Sequence, residues 1–192
     1  MSSADRDKWN KRYREGAYAG RVQPSALLTD WVDKVPVGRA IDVACGAGRN
    51  ALYLAERGFD VDAVDISGEA IHRARDAGRR LGVSVNWLEQ DLGEMPDLGS
   101  GYQLILVIRY VNLPLLRQLA ASLAPGGFLI CEQHLVSEEE VIGPANPAYR
   151  VKPGDLRSIA SRLQIHYLEE ALLRDPDGQM AALARLVAQR GQ

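Results

Sequence analysis

One aspartate begins a glycine-rich segment, and two others end the apolar runs that follow it. The segment reads Asp42-Val-Ala-Cys-Gly-Ala-Gly48, and Asp65 and Asp91 end the next two runs. Glycine tolerates positive φ and lets the backbone approach a ligand closely, and a helix start offers N–H groups that lack intrahelical partners. A carboxylate at Asp65 can accept both hydroxyls of a ribose, and one at Asp91 can accept from the exocyclic amine of adenine. Three acids at successive strand ends suit a neutral or cationic nucleoside better than a pyrophosphate.

The same residues also fit a second pattern. Gly46-Ala-Gly-Arg-Asn-Ala51 has the dinucleotide-binding form GxGxx[G/A], and Asp65 lies near the offset of about 20 residues of the ribose acid. A nicotinamide-dependent oxidoreductase therefore stays open, whereas a phosphate loop is excluded because no Gly-Lys-[Ser/Thr] follows. Plain structural roles also stay open: a strand-to-helix turn for the glycines, a helix cap for Asp65, and core anchors for Trp9 and Tyr13.

Short apolar runs alternate with amphipathic segments along the chain. We predict strands at 39–44, 60–65, 83–88, 102–108 and 128–135, with helices at 5–15, from Pro24, at 49–57, after Ser67, around 115–123 and from Pro153. Pro125-Gly-Gly127 is the predicted break before the fifth strand, and 138–152 is predicted to be irregular. Residues 164–174 and 179–190 are strand-like and flank Asp175-Pro-Asp-Gly178, which predicts an antiparallel hairpin at the sheet edge.

This alternation predicts an α/β fold: a Rossmann-like, mostly parallel seven-stranded sheet with helices on both faces and an antiparallel C-terminal hairpin strand. Ligands of such sheets bind beyond the carboxyl ends of the strands. The candidate residues all fall at or near those ends: Asp42, Gly46, Gly48, Asp65, Asp91, Arg109 and His134. The topology therefore predicts one shared crevice.

Composition narrows the functional classes. The chain has 192 residues, which is the size of one domain, and 23 basic against 25 acidic residues give a formal charge of -2. This balance predicts neither a nucleic-acid partner nor an anionic membrane surface, and the sequence lacks an apolar run of about 20 residues. The two cysteines, Cys45 and Cys131, form no CxxC or metal-ligand spacing. We expect a cytoplasmic protein without a metal, and the sequence does not indicate an oligomeric state.

On these residues the sequence resembles the class I S-adenosylmethionine (SAM)-dependent methyltransferases. Asp42-x-x-Cys-Gly-x-Gly48 is similar to their first motif, Asp65 to their ribose-binding acid, and Asp91-Leu92 to their adenine-contacting pair. The similarity spans nearly the whole chain. It implies a single methyltransferase domain over 1–192, with N-terminal helices in 1–38 as a lid and a Rossmann-like core in 39–192.

Within that class the sequence most resembles the small tellurite-resistance (TehB-like) methyltransferases. Trp9-Asn-Lys-Arg-Tyr13 is similar to their N-terminal signature, Gly48-Arg-Asn-Ala-Leu-Tyr-Leu-Ala55 to their glycine-turn helix, and Lys152-Pro-Gly-Asp-Leu-Arg157 to their C-terminal part. Glu132-Gln-His134 and the loop after it depart from the pattern, and this departure leaves the substrate open.

The resemblance implies SAM as the cofactor and a set of residues that bind it. Arg12 is the implied partner of the methionine carboxylate, and Ile108, Arg109 and Tyr110 would line the transfer site. The implied cofactor-binding residues are Trp9, Arg12, Tyr13, Asp42, Ala44, Gly46, Gly48, Asp65, Ile66, Asp91, Leu92 and Ile108.

Methyl transfer needs alignment of the acceptor more than it needs a catalytic triad, because a sulfonium already makes the methyl group electrophilic. We hypothesise transfer to a small acceptor with a soft or anionic nucleophile, such as a thiol or a metalloid oxyanion. Arg109 or His134 would orient it. The alternatives are the nicotinamide-dependent oxidoreductase and a SAM-binding module without catalysis.

Overall fold

One seven-stranded sheet organises the chain, and the computed structural model describes residues 3–175 and 178–192. The strands are β1 (Arg39–Val43), β2 (Asp60–Asp65), β3 (Asn86–Glu89), β4 (Tyr102–Ile108), β5 (Leu123–His134), β6 (Gln164–Arg174) and β7 (Met180–Gln189). The helices are α1 (Ser3–Arg14), α2 (Ala26–Trp31), α3 (Arg49–Glu56), α4 (Gly68–Leu81), α5 (Leu113–Ser122) and α6 (Asp155–Ile159).

The strand order is β3-β2-β1-β4-β5-β7-β6. The pairs β1–β2, β1–β4, β2–β3 and β4–β5 are parallel, whereas β7 is antiparallel to both β5 and β6. The predicted fold class is therefore confirmed, including the antiparallel hairpin at the edge. In its turn the Gly178 N–H donates to the Asp175 carbonyl at 2.8 Å, while Pro176 and Asp177 lie outside the described residues.

Helices cover both faces of the sheet, and the central strand β4 is apolar on both sides. Ile105 and Val107 pack on the face that α5 and α6 cover, and Leu104 and Leu106 pack on the face of α2, α3 and α4. Burial on both faces explains the unbroken apolar run of this strand. The central strands are consequently held firmly, and their carboxyl ends present side chains at one edge of the sheet.

The start of β5 differs from the prediction. The predicted break at Pro125-Gly-Gly127 is wrong, because the strand already begins at Leu123, opposite Tyr102, and a bulge then shifts the register before Leu104. A Cβ at Gly127 would lie 2.5 Å from the Tyr102 carbonyl oxygen. The glycine therefore permits close strand pairing, whereas the sequence pattern indicated a turn.

The other element boundaries differ less. The third strand begins at Asn86, later than the predicted residue 83, and α4 begins after Ser67 as predicted, with the Ser67 hydroxyl accepting from the Ala70 N–H at 3.2 Å. The described part of the chain contains no helix with the length and apolarity needed to span a bilayer.

Candidate cofactor and transfer site

The glycine turn after β1 approaches the N-terminal helix. The Cys45 N–H donates to the Val64 carbonyl at 3.0 Å, which fixes the turn against β2. Ala44 and Gly46 have φ of 58° and 57°, a left-handed backbone that costs a residue with a side chain about 1–2 kcal/mol. A Cβ at Gly46 would lie 2.5 Å from the Tyr13 hydroxyl oxygen. Gly46 therefore lies at the crevice, beneath a side chain of α1.

Gly48 has a different role from Gly46. Its φ is 82°, and a Cβ there would lie 2.5 Å from the Trp87 ring and 2.9 Å from the Ala74 methyl. Its own N–H donates to the Cys45 carbonyl at 3.0 Å. These contacts come from β3 and α4, so Gly48 serves the packing of α3 on its neighbours, and its contact with a cofactor stays a prediction.

The Asp65 carboxylate connects the glycine turn to the start of α4. One oxygen accepts from the Gly46 N–H at 2.8 Å and the other from the Ser67 N–H at 2.9 Å. Burial raises the pKa of Asp65, and those N–H groups oppose the rise. Each carboxylate oxygen has two acceptor sites, so capacity for ribose hydroxyls remains. The side-chain cap of α4 is the Ser67 hydroxyl, so Asp65 is not the N-cap of that helix, and its contact with a ribose stays a prediction.

Asp42 lies beneath the turn. It is almost completely buried, and its Oδ2 has no hydrogen-bond partner among the described residues. Burial raises the pKa of Asp42 to about 7, although the positive charge of Arg49 opposes the rise. A buried carboxylate oxygen without a hydrogen-bond partner destabilises the fold. This oxygen can therefore accept a hydrogen bond from a donor that binds at the site.

Asp91 follows β3 at the same edge of the sheet. Its Oδ1 accepts from the Gly93 N–H at 2.7 Å and so caps a short 3-10 turn over Leu92–Glu94. The Leu92 and Ile66 side chains are buried, and Ile108 ends β4. Asp91 thus has a structural role as the cap of this turn, and the adenine contacts of Asp91 and Leu92 stay predictions.

Three aromatic rings of the N-terminal segment form a cluster beside the glycine turn. The ring centroids of Trp9, Tyr13 and Tyr18 are 6.0–6.5 Å apart. The Arg12 guanidinium lies 4.9 Å from the Trp9 ring and 5.5 Å from the Tyr18 ring, which is within cation–π distance. The sequence singled out Trp9, Arg12 and Tyr13, but it gave no signal for Tyr18.

Helix α1 is held against α4 by polar contacts. The Asn10 Oδ1 accepts from the Ser67 hydroxyl at 2.8 Å and from the Glu69 N–H at 3.3 Å, and Arg73 donates to the Tyr13 carbonyl. The same residues that begin α4 therefore also position the helix that carries Tyr13. Asn10 was missed by the sequence analysis because nothing in the local pattern marks it.

Arg109 lies in a buried ion-pair network at the end of β4. Its Nε donates to Glu132 Oε1 at 3.0 Å, and its Nη2 donates to Asp175 Oδ1. The backbone of Arg109 is left-handed, with φ of 59°. Glu132 also accepts from Arg185 at 2.9 Å, and Asp175 from Arg21 at 3.0 Å. The network fixes the Arg109 side chain, and its predicted role in orienting an acceptor remains a prediction.

His134 ends β5 beside this network. It is 7% exposed, and its Nδ1 finds no partner in the described part of the chain. Burial, with the positive charges of Arg109 and Arg150, lowers the pKa of His134 to about 4. The imidazole is therefore neutral at pH 7 and retains a nitrogen lone pair that accepts a hydrogen bond.

This shift makes stability depend on pH. Because the folded-state pKa of about 4 lies below the ordinary 6.5, the unfolded chain binds more protons between these values. Protonation of His134 in the unfolded chain therefore lowers the free energy of unfolding as the pH falls from about 6.5 towards 4. We expect His134→Gln to reduce the stability lost between pH 7 and pH 4.5 by about 2 kcal/mol, measured by urea unfolding. His72→Gln on the exposed face of α4 is the control, and equal acid losses in both variants would contradict the prediction.

The strand order separates the two enzyme interpretations of the glycine turn. A dinucleotide-binding sheet has the order 3-2-1-4-5-6. Here an antiparallel β7 is inserted between β5 and β6. This difference favours the methyltransferase interpretation over the nicotinamide-dependent one.

Comparisons with known proteins agree with this geometry. Residues 40–127 match the family described as "Methyltransferase domain". YqeM of Bacillus subtilis, described as a putative methyltransferase, is 26% identical over 124 residues, which cover 58% of this chain and 49% of YqeM. The chain thus spans about half the length of this curated relative.

Solved structures show the same fold. TehB from Haemophilus influenzae matches with a TM-score of 0.74 at 18% identity, over 96% of this chain and 66% of TehB. Geranyl diphosphate C-methyltransferase from Streptomyces coelicolor, solved with S-adenosyl-L-homocysteine, matches with a TM-score of 0.67 at 14% identity, over 86% of this chain and 75% of that one. Residues 40–127 are thus similar in sequence to a methyltransferase domain, and the chain as a whole shares the fold of TehB.

Proposed function

We propose that this chain binds SAM and transfers its methyl group to a small acceptor with a soft or anionic nucleophile, such as a thiol or a metalloid oxyanion. The contact between Asp65 and Gly46 carries the proposal. It joins an acid with spare acceptor capacity to a turn that leaves no room for a side chain beneath Tyr13. Ribose recognition and close backbone approach are thereby available at one place.

The residues of the crevice fit this cofactor. Asp65 would hold the ribose hydroxyls, Gly46 would pass beneath the nucleoside, and the unsatisfied oxygen of Asp42 would accept from a polar group of the methionine end, directly or through water. The aromatic rings of Trp9 and Tyr13 would cover the site and exclude water.

When bound, the cofactor supplies an electrophilic methyl group on a positively charged sulfur. The chain then has to align the acceptor with the methyl–sulfur bond, and such positioning is worth about 7–11 kcal/mol in favourable cases. His134 would orient the acceptor by accepting a hydrogen bond at Nδ1, which has no partner among the described residues, and Arg109 would orient an anionic group. A thiolate acceptor needs no general base.

The same proposal extends to partners and location. The formal charge of -2 supports a small-molecule acceptor rather than a nucleic acid or an anionic membrane. We propose a cytoplasmic enzyme in which residues 1–38 act as a lid on a core formed by 39–192. The contacts of α1 with Ser67 and Glu69 support this division, because they attach the helix to the core by a few polar groups.

Ligand-dependent thermal stability tests the cofactor. SAM or S-adenosylhomocysteine at about 100 times its dissociation constant should add about 2.7 kcal/mol to the free energy of unfolding, and NAD(H) should add nothing. Protection by NAD(H) alone would reverse the assignment. Binding of SAM without methyl transfer to any of a broad panel of thiols, oxyanions and metalloid oxyanions would instead favour a non-catalytic binding module.

A further inference from the structure

An aspartate from the C-terminal hairpin lies between two arginines at the edge of the crevice. Asp175 contacts Arg109 with one carboxylate oxygen and accepts from Arg21 with the other at 3.0 Å. Only 1% of its side chain is exposed, against 15% for Arg109 and 37% for Arg21. Two guanidiniums therefore contact one carboxylate. The carboxylate is buried, whereas the Arg21 side chain is partly exposed to solvent.

A third guanidinium lies beside this pair. Arg49 follows the glycine turn as the first residue of α3, and it donates to the carbonyl of Gln23, two residues after Arg21, at 2.9 Å. Burial lowers the pKa of Arg49, and the charges of Arg109 and Arg21 lower it further, while Asp42 raises it. Three arginines from three separate parts of the chain thus converge on one region.

Guanidiniums and carboxylates alternate in that region. Arg109 and Arg185 share Glu132, and Arg21 and Arg109 share Asp175. Arg185 also lies 3.9 Å from Glu169, and Asp42 acts on Arg49. Planar guanidiniums recognise carboxylates and oxyanions with directed hydrogen bonds. A carboxylate held among them shows what chemistry the region accepts.

We propose that Arg21, Arg49 and Arg109 form an anion subsite for the methyl acceptor, and that the Asp175 carboxylate occupies it as an internal stand-in. This inference rests on the proposed methyl transfer and deepens it, because it assigns an anionic group to the acceptor. The acceptor anion competes with Asp175 for Arg109 and Arg21. Because an acceptor has to displace the Asp175 carboxylate, molecules with little negative charge do not bind at this subsite.

Calorimetric titration with sodium sulfate, at an ionic strength held constant with chloride, tests the subsite. Asp175→Asn keeps the shape of the side chain and removes its charge, so we expect it to bind sulfate about tenfold more tightly than the wild type. Arg21→Gln should bind sulfate about tenfold more weakly. Acetate, titrated in parallel, distinguishes a carboxylate-bearing acceptor from a tetrahedral oxyanion by which of the two binds more tightly.

A second arginine–aspartate pair provides matched controls. Arg39 contacts Asp62 at 2.9 Å, near the start of β1 and away from the crevice. Asp62→Asn and Arg39→Gln should leave sulfate affinity unchanged. A folded Asp175→Asn variant with wild-type sulfate affinity would overturn the proposal. If Asp175→Asn does not fold, Arg21→Gln decides alone, and an unchanged affinity in that variant overturns it equally.

Repeating the titration with protein saturated in S-adenosylhomocysteine separates this subsite from the cofactor site. We expect sulfate binding to persist. Its loss would mean that the arginines hold the carboxylate of the cofactor, and the acceptor assignment would be wrong. Absence of any SAM or S-adenosylhomocysteine uptake would instead reject the proposed function, while the sulfate results would still report on the anion subsite itself.

Discussion

Asp65→Ala is expected to weaken SAM binding by about 100-fold or more, because the ribose would lose charge-assisted hydrogen bonds worth about 1.5–3 kcal/mol each. The carboxylate is buried at the end of β2, so in the variant water is a poor substitute for it as hydrogen-bond acceptor of the ribose hydroxyls. Isothermal titration calorimetry with SAM, at a temperature where both proteins are folded, measures the change. The variant should also lose stability, since the N–H groups of Gly46 and Ser67 lose their acceptor.

Asp62→Ala is the matched control for this change. Asp62 lies on the same strand but accepts from Arg39 and Tyr102, so its loss removes a charge without touching the crevice. We expect its SAM affinity to equal that of the wild type. A folded Asp65→Ala protein that also kept wild-type affinity would show that Asp65 serves the glycine turn alone.

Gly48→Ala is expected to lower the free energy of unfolding by about 2–5 kcal/mol. Part of the loss comes from the left-handed backbone, with φ of 82°, and part from a Cβ placed 2.5 Å from the Trp87 ring and 2.9 Å from Ala74. For this Cβ to fit, the Trp87 ring or α4 would have to move away from α3. Chemical denaturation with urea measures the loss.

Gly82→Ala separates backbone strain from the steric contact. Gly82 has φ of 70° at the end of α4, and a Cβ there would meet nothing within 4 Å. We expect this control to lose about 1–2 kcal/mol from strain alone. Equal losses in the two variants would mean that the Trp87 contact relaxes freely and that Gly48 is required only for its backbone conformation.

The sequence alone determined most of the elements and the edge of the sheet at which the candidate residues lie. The alternation of strands with period 2 and helices with period 3.6 depends on neighbours in the chain, so β2, β4 and the cap of α4 at Ser67 were predictable. Short apolar strands joined by helices also required a mostly parallel sheet. The strand-end positions of Asp65 and Asp91 followed from that pattern.

The tertiary structure decided which side chains meet at that edge. Arg109 and Asp175 are 66 residues apart in the chain, and Gly46 contacts Tyr13 only because α1 packs on α4. The strand pairing at Gly127 likewise depends on the register with Tyr102. Contacts of this kind depend on how whole elements pack and in which register, and no local pattern in the sequence carries that information.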